Sequence, residues 1–592
     1  MFVRRSAKFS YCLIALWVLA SASLLWAQSS PSKARESTKQ AQAVYSEGMA
    51  ALQKGDLDRA RASFEKVVSL APSSPEAHNS LGWVLMQQGQ IEPATSQFRA
   101  ALKLKANFVQ AHVNLANALA SERDFAEAES EAQQAVRLEP KDSETHRTLG
   151  RIKSFRGDLP GAVNEMQAAI AVDPKRADLH DDLGTLFEQS GKVDEAAIEF
   201  ADALKLKPDY FSAGIHLGIV RWQQHNLPEA GDLLARAAQS APENPQAHYY
   251  LGRVLEDEKK DDQAIAELKK AVALQPDFAD AQESLGLLSQ RAGSIEDAVA
   301  AFRQFVRLRP DNPDGHNNLG LALIQAGDAA SSIPEFETAI RLRPDDSGYT
   351  ENLGTAYLQR ADFDSAIKQF QAALKIAPQD ATAHYDLGLA LKLKDHLPEA
   401  IAEFQTAAQL SPEQPDIHYT LGVTLWQKGD FAGSEKELSA ATAAKPDYAE
   451  AYYTLGTVLK QDGKLNDAAA ALRRAIEINP GLVGAHTNLA AILRQQGATA
   501  EAEAENRRAQ ELFKQSNTLQ AATFNTNSGK RLLQAGDVDG AIAQFRSAIK
   551  IAPDYAPAHR QLAQALAQKG QHTEADEENR KAAQLAGTNS AQ

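Results

Sequence analysis

The chain has 592 residues, of which 44% are apolar and 23% charged, and it carries a single cysteine. Those proportions exclude a small disulfide scaffold and a fully disordered polymer. Lys and Arg number 62 against 77 Asp and Glu, a formal charge of −15 spread along the chain, which makes nucleic acid and anionic lipid surfaces poor partners.

Arg4, Arg5 and Lys8 precede an uncharged run from Phe9 to Ala27, and a polar stretch from Gln28 to Gln40 follows. A positive flank, an apolar stretch and a small residue before Gln28 predict an export signal cleaved after Ala27, although Leu25 is larger than the usual Ala three residues before the cut. The alternative is an uncleaved anchor, because the 19-residue run falls within the ~17 to 25 needed to cross a bilayer. Both readings keep the basic flank cytoplasmic and deliver the rest of the chain to a periplasmic or extracellular location, tethered to the inner membrane by residues 9–27 if uncut. Cys12 lies in this segment, so cleavage removes the only thiol.

Beyond residue 40 the sequence repeats. Pro140, Pro174, Pro208, Pro242, Pro276, Pro310, Pro344, Pro378, Pro412, Pro446 and Pro480 follow one another at intervals of 34 residues, and Pro72 stands two intervals before Pro140. Ten residues after these prolines comes a Gly or Ala preceded by Leu, as in Leu81-Gly82, Leu183-Gly184, Leu353-Gly354 and Leu455-Gly456. Further along each unit Ala, an aromatic or Leu, and Ala recur on one helix face, as in Ala366, Phe370 and Ala373.

This pattern of Leu-Gly, a bulky apolar residue, Ala, Phe, Ala and Pro over 34 residues resembles the tetratricopeptide repeat family. The resemblance implies an all-α fold, a right-handed α-α superhelical solenoid of about sixteen helical hairpins. Residues 1–27 form the signal or anchor and 28–40 a linker. Fourteen contiguous units fill 41–516, an insertion and candidate hinge occupies 517–521, and two further units fill 522–589. No stretch is left over for a catalytic domain.

Within a unit, small residues let two helices approach while large ones fill the groove beside them, as Leu387, Gly388 and Leu391 face Ala400, Phe404 and Ala407. Eleven of the sixteen units carry Gly at the turn, for instance Gly191, Gly327 and Gly463, where a left-handed conformation ends the first helix. The closing proline ends the second. Pro334 falls inside an expected second helix and predicts that it starts late, near Ser331 or Ser332. Near Lys514 the closing proline is missing and Asn506 replaces the core residue, so the second helix of the fourteenth unit is expected to run on through the insertion, with a break in the repeat between residues 510 and 524. Asn579 replaces the core aromatic of the terminal helix.

Ten of the fourteen histidines occupy the fourth position of a unit: His78, His112, His146, His180, His248, His316, His384, His418, His486 and His559. Equivalent positions on stacked helices are separated by at least the ~8 to 10 Å of helix packing, too far for several imidazoles to share one ion at ~2.0 to 2.1 Å. The position matches a partly buried Trp of the family, and a structural role is expected. No His-Glu-x-x-His, cysteine pair, phosphate-binding glycine loop or Gly-x-Ser-x-Gly occurs, so neither catalysis nor a cofactor is expected.

In the family, the second, fifth, sixth, ninth, twelfth and thirteenth positions line the concave face and meet peptides. The resemblance places Trp83, Tyr249, Tyr250, Arg253, Tyr385, Lys392, Tyr419, Trp426, Tyr453, Lys460 and Arg494 there, with Trp222 at a comparable point. Units five to eight turn Asp178, Asp181, Glu188, Glu256, Asp257, Asp280 and Glu283 inward, relieved mainly by Arg253 and Arg291, and are expected to repel acidic ligands. Units eleven to fourteen, with Lys392, Lys460 and Arg494 beside Tyr385, Tyr419, Trp426 and Tyr453, are expected to hold an extended or helical segment bearing carboxylates. The family's chaperone-tail clamp residues are absent from the first units. Asparagines that grip peptide backbones in long relatives appear only at Asn114, Asn318, Asn352, Asn488 and Asn527.

The expected function is a non-catalytic protein-interaction scaffold in bacterial envelope assembly or secretion. Alternatives are a polysaccharide-binding export scaffold, separable by a glycan array, and the regulatory subunit of a glycosyltransferase carried on another chain.

Overall fold

The computed structural model describes residues 33–589, and the predicted export signal lies outside the described residues. Among the described residues there are 31 helices and no strand. They fall into two compact units, one ending at Leu308 and the other beginning at Arg309. In each unit consecutive helices pack as antiparallel hairpins, and each hairpin packs on the next. No helix among the described residues is long and apolar enough to cross a membrane.

A typical hairpin pairs helix Ala381–Leu393 with helix Leu397–Leu410. Asp380 begins the first helix by accepting hydrogen bonds from the amides of Thr382 and Ala383. A left-handed residue then ends it. All sixteen turns carry a positive φ: eleven use glycine, and Arg123, His225, Lys259, Ala361 and Asp395 supply the remaining five at φ between 57° and 65°. A left-handed residue with a side chain costs about 1 kcal/mol, so these five turns are strained and their neighbours hold them in place.

The core is built on one complementarity. A Cβ added to Gly354 would sit 2.7 Å from the ring of Phe370, and one added to Gly184 or Gly320 would sit 2.5 Å from Phe200 or Phe336. These phenylalanines are fully buried. Where Ala replaces this glycine, at Ala116, Ala490 and Ala563, the facing residue shrinks or becomes polar, as Ala132, Asn506 and Asn579. The chain therefore keeps the hairpin spacing by trading volume across it.

The histidines pin successive hairpins together, the structural role expected for them. His248 is representative: Nδ1 lies 2.6 Å from Glu267 on the second helix of its own hairpin, and Nε2 lies 3.1 Å from the carbonyl of Pro242, which closes the preceding hairpin. His316, His384, His418, His486 and His559 repeat both contacts. Burial works against charge on His112, but Glu131 and the Ala106 carbonyl hold its pKa above the ordinary value.

Two boundaries differ from expectation, and the predicted run-on of the fourteenth unit's second helix is observed. The first helix spans Lys33–Gln53, so residues 33–40 of the expected linker are helical. The helix containing Pro334 is not shortened: it runs Ala329–Leu342, the usual 14 residues. Proline there forfeits one backbone hydrogen bond. Asp328 compensates by accepting from the Ser331 amide, and Ile333, Phe336 and Ala339 are buried, so packing outweighs the local penalty. Finally, Thr499–Gln534 is a single 36-residue helix that includes residues 517–521. Its first half packs as the second helix of one hairpin and its second half as the first helix of the next, which is why sixteen repeats yield 31 helices. Its buried side changes from Ala502 and Ala509 to Ala522, Thr526 and Gly529 along the way. Phe513, Leu519 and Phe524 stand exposed between and beside them.

Candidate interaction surface

The first helices of consecutive hairpins lie side by side, and their polar residues are linked from one hairpin to the next. The fifth residue of a hairpin meets the sixth of its successor. Asn114 donates to Asn79 at 3.0 Å, Arg147 Nε to Asp182 at 2.6 Å and Asn352 to Asn317 at 2.8 Å. His216 pairs with Asp181 at 2.8 Å, and Tyr385 shares a hydrogen bond with Thr420 at 3.1 Å. Asn114 and Asn352 are thus engaged within the protein, as is Asn488, which donates to Thr457 and accepts from Lys460.

In the first unit the expected aromatic residues form one self-packed cluster. Tyr249 and Tyr250 meet edge-on at 5.0 Å, Trp222 meets Tyr250 at 6.3 Å, and Phe278 packs on Tyr249 at 4.8 Å. The Arg253 guanidinium lies over the Trp222 ring at 5.3 Å, and the indole N–H donates to Asp257 at 2.6 Å. Trp83 stands apart, packed against the core of the earliest hairpins.

Part of the acidic stretch is paired within the protein. Arg147 contacts Asp178 at 2.8 Å as well as Asp182, and Arg176 reaches Asp178 at 2.6 Å and Glu144 at 3.1 Å. Asp181 also accepts from Ser212 at 2.7 Å, and Glu256 meets both Arg253 and Arg291. Burial opposes ionisation of Asp178, but Arg176 and Arg147 keep its carboxyl below the usual range. For Asp182, burial prevails over Arg147 and raises the pKa.

The second unit presents a different surface. Trp426 donates its indole N–H to Gln461 at 2.7 Å, and Lys460 donates to Asn488 at 3.0 Å. Tyr419 packs against Tyr448 at 5.2 Å, and the Tyr453 hydroxyl lies so close to Gly484 that a Cβ there would be 2.6 Å away. Arg494 is exposed. Lys392 is half-buried with no ion pair, and burial lowers its pKa. Leu393 beside it is 58% exposed.

Sequence reasoning missed one feature of this surface. Glu351 and Asp386 occupy the fifth-to-sixth register that holds the five hydrogen-bonded pairs above, yet both are carboxyls. Burial, with Asp380 and Asp386 nearby, pushes Glu351 up to about 7, and burial with Asp380 pushes Asp386 up to about 6. Raised carboxyl pKa values favour the fold at low pH, so this pair costs stability as pH rises from the ordinary carboxylate range through about 6 and about 7. The 35-residue register between the two carboxyls was the signal available in the sequence. A second missed feature is a lysine three residues before an aromatic ring at the end of a unit, with Lys105 over Phe108 and Lys445 over Tyr448 at 4.8 Å and Lys207 over Tyr210 at 5.5 Å.

The tetratricopeptide repeat profile matches residues 19–75, 45–107, 81–143, 147–211, 216–282, 283–347, 352–415, 419–483 and 453–517, and a second TPR repeat profile matches 529–570. The chain belongs to the tetratricopeptide repeat family, whose fold is a solenoid of helical hairpins. No curated protein matches the chain significantly. Among solved structures, the Cut9 complex with Hcn1 is 14% identical over 89% of this chain and 96% of its own, with a TM-score of 0.35. MamA from Desulfovibrio magneticus is 25% identical over 29% of this chain and 96% of its own, with a TM-score of 0.27. PilF of Pseudomonas aeruginosa is 20% identical over 35% of this chain and 95% of its own, with a TM-score of 0.32.

Proposed function

We propose that the protein is an exported, non-catalytic scaffold whose first-helix surface in the second unit, from Tyr385 to Arg494, holds carboxylate-bearing segments of partner proteins during envelope assembly or secretion. The observation that carries this reading is Lys392, an ammonium half-withdrawn from water with no anion to offset it. A partner carboxylate supplies that anion through a charge-assisted hydrogen bond. Leu393, Tyr385, Tyr419 and Trp426 offer apolar and aromatic contact around it, and such residues dominate binding energies at protein surfaces. The first-unit surface, with its cations already paired to its own carboxylates, is less suited to acidic segments. The basic flank and uncharged run at residues 4–27 support export.

The test is capture of partners from envelope fractions by the full chain, comparing wild type with Lys392→Glu and with a Tyr419→Ala, Trp426→Ala double variant. Each change is expected to lower recovery of the specific partners about tenfold or more, the ~1.4 kcal/mol or greater of a hot-spot loss. Recovery of the same partners by both variants at wild-type levels rejects the surface. Retention of polysaccharide in place of protein redirects the reading to a glycan export scaffold.

A further inference from the structure

One of the ten histidine clasps is built differently. His180 keeps the Nδ1 contact with Glu199 at 2.7 Å, but its Nε2 does not bond the carbonyl of Pro174 as the other clasps bond theirs. The same hairpin has a second peculiarity. One turn beyond the clasp glutamate, where the other nine carry Ala100, Gln134, Ala168, Lys270, Thr338, Thr406, Ala440, Arg508 or Lys581, it has Asp202. Lys270 and Lys581 neutralise their clasp glutamates at 2.7 and 2.9 Å, whereas Asp202 adds negative charge.

His180, Glu199 and Asp202 each bring a ligand atom within 4.8 Å of the others, and all three side chains are half-buried. We propose that this trio binds a divalent transition-metal ion of the zinc type through one imidazole nitrogen and two carboxylate oxygens. A site inside a single hairpin avoids the objection that equivalent histidines of a ladder are too far apart to share an ion. Ligand atoms at Zn–N and Zn–O distances of ~2.0 to 2.2 Å stand about 3.4 Å apart, so the His180–Glu199 contact at 2.7 Å opens slightly and the Asp202 carboxylate closes in, movements their partly exposed side chains allow. Imidazole among the donors favours zinc or copper over magnesium or calcium. With no carbonyl bound at Nε2, the ring is tied only through Nδ1 to Glu199, and giving up that one bond lets it present a lone pair to the ion. Lys205 now donates to Asp202 Oδ1 at 2.7 Å and competes with the ion as a mobile, largely exposed ammonium. Water completes the coordination.

The experiment titrates Zn2+ into the chelator-stripped, untagged full chain against a zinc indicator. Wild type is expected to show a specific site of about one ion per chain. Asp202→Asn should weaken it about tenfold or more without changing the melting profile, because Asp202 takes no part in the clasp. Lys205→Ala should tighten it several-fold by removing the competing charge. His180→Gln should abolish it, with the Asp202 variant guarding against a folding effect. Absence of a specific site in wild type, or equal Zn2+ affinity in wild type and Asp202→Asn, overturns the proposal.

Discussion

Replacing Gly354 by Ala is expected to destabilise the second unit by about 1–3 kcal/mol, and replacing Phe370 by Ala by about 3–5 kcal/mol, but the double change should cost no more than the second alone. The added methyl of Gly354→Ala meets the Phe370 ring at 2.7, 2.8 and 3.0 Å, and the ring, fully buried, has no room to retreat. Removing the ring removes that collision, so the methyl then enters the space vacated and Ala also favours the helix over Gly by about 1 kcal/mol. The chain already contains this solution in Ala116 facing Ala132. Urea unfolding of the four members of the cycle, read by amide exchange across helices Ser347–Gln359 and Phe363–Ile376, measures the coupling locally in a repeat array that need not unfold all at once. Simple additivity of the two single changes contradicts the packing account.

Arg147→Ala should cost about 2–4 kcal/mol at neutral pH, and the cost should shrink as the pH is lowered. Arg147 is the cation of a partly buried network, 2.6 Å from Asp182 and 2.8 Å from Asp178. Arg176 remains for Asp178 and Glu144, but no other side chain bonds Asp182. A carboxylate left unpaired in such a site usually costs ~3 to 5 kcal/mol, reduced here because the pair keeps some contact with solvent. The sign with pH follows from Asp182. Burial already raises its pKa with Arg147 present, and loss of the arginine raises it further. A carboxyl with a raised folded-state pKa favours the fold at low pH and withdraws that support as pH rises through it, so the variant recovers in acid. A penalty that does not shrink on acidification contradicts this assignment. Replacing Arg147 and Asp182 together by Met and Leu should recover most of the loss, since the charge is then no longer stranded.

The period of the fold was legible because proline, the Leu-Gly pair and the turn glycine each answer a local backbone demand that a single residue type meets best. Gly327 and Pro378 could be placed without any neighbour in view. The five turns lacking glycine were hidden because Ala361 or Asp395 signals no left-handed backbone until the turn is seen. Pro334 misled for a related reason: its local effect is real, but burial of Ile333 and Phe336 in the hairpin outweighs it. The candidate surface was legible as a set of positions and not as a set of states. Position alone could not tell that Asp181 is held by His216 and Ser212, that Arg253 covers Trp222, or that Lys392 has no ion pair, because those depend on which residues the neighbouring hairpin brings alongside. The histidine clasp could have been found in the sequence, since nine of the ten position-four histidines are followed 19 residues later by Glu and His78 by Gln97.

The first-helix surface of the second unit is the proposed working part of the molecule. It is tested most directly by placing a photo-crosslinking residue at Val423, between Tyr419 and Trp426, and in a matched chain at Lys436, on the exposed side of the second helix of the same hairpin. Irradiation in intact cells should join Val423-labelled chains to a discrete partner and leave Lys436-labelled chains unjoined. Equal capture from both positions, or capture from Lys436 alone, contradicts the account.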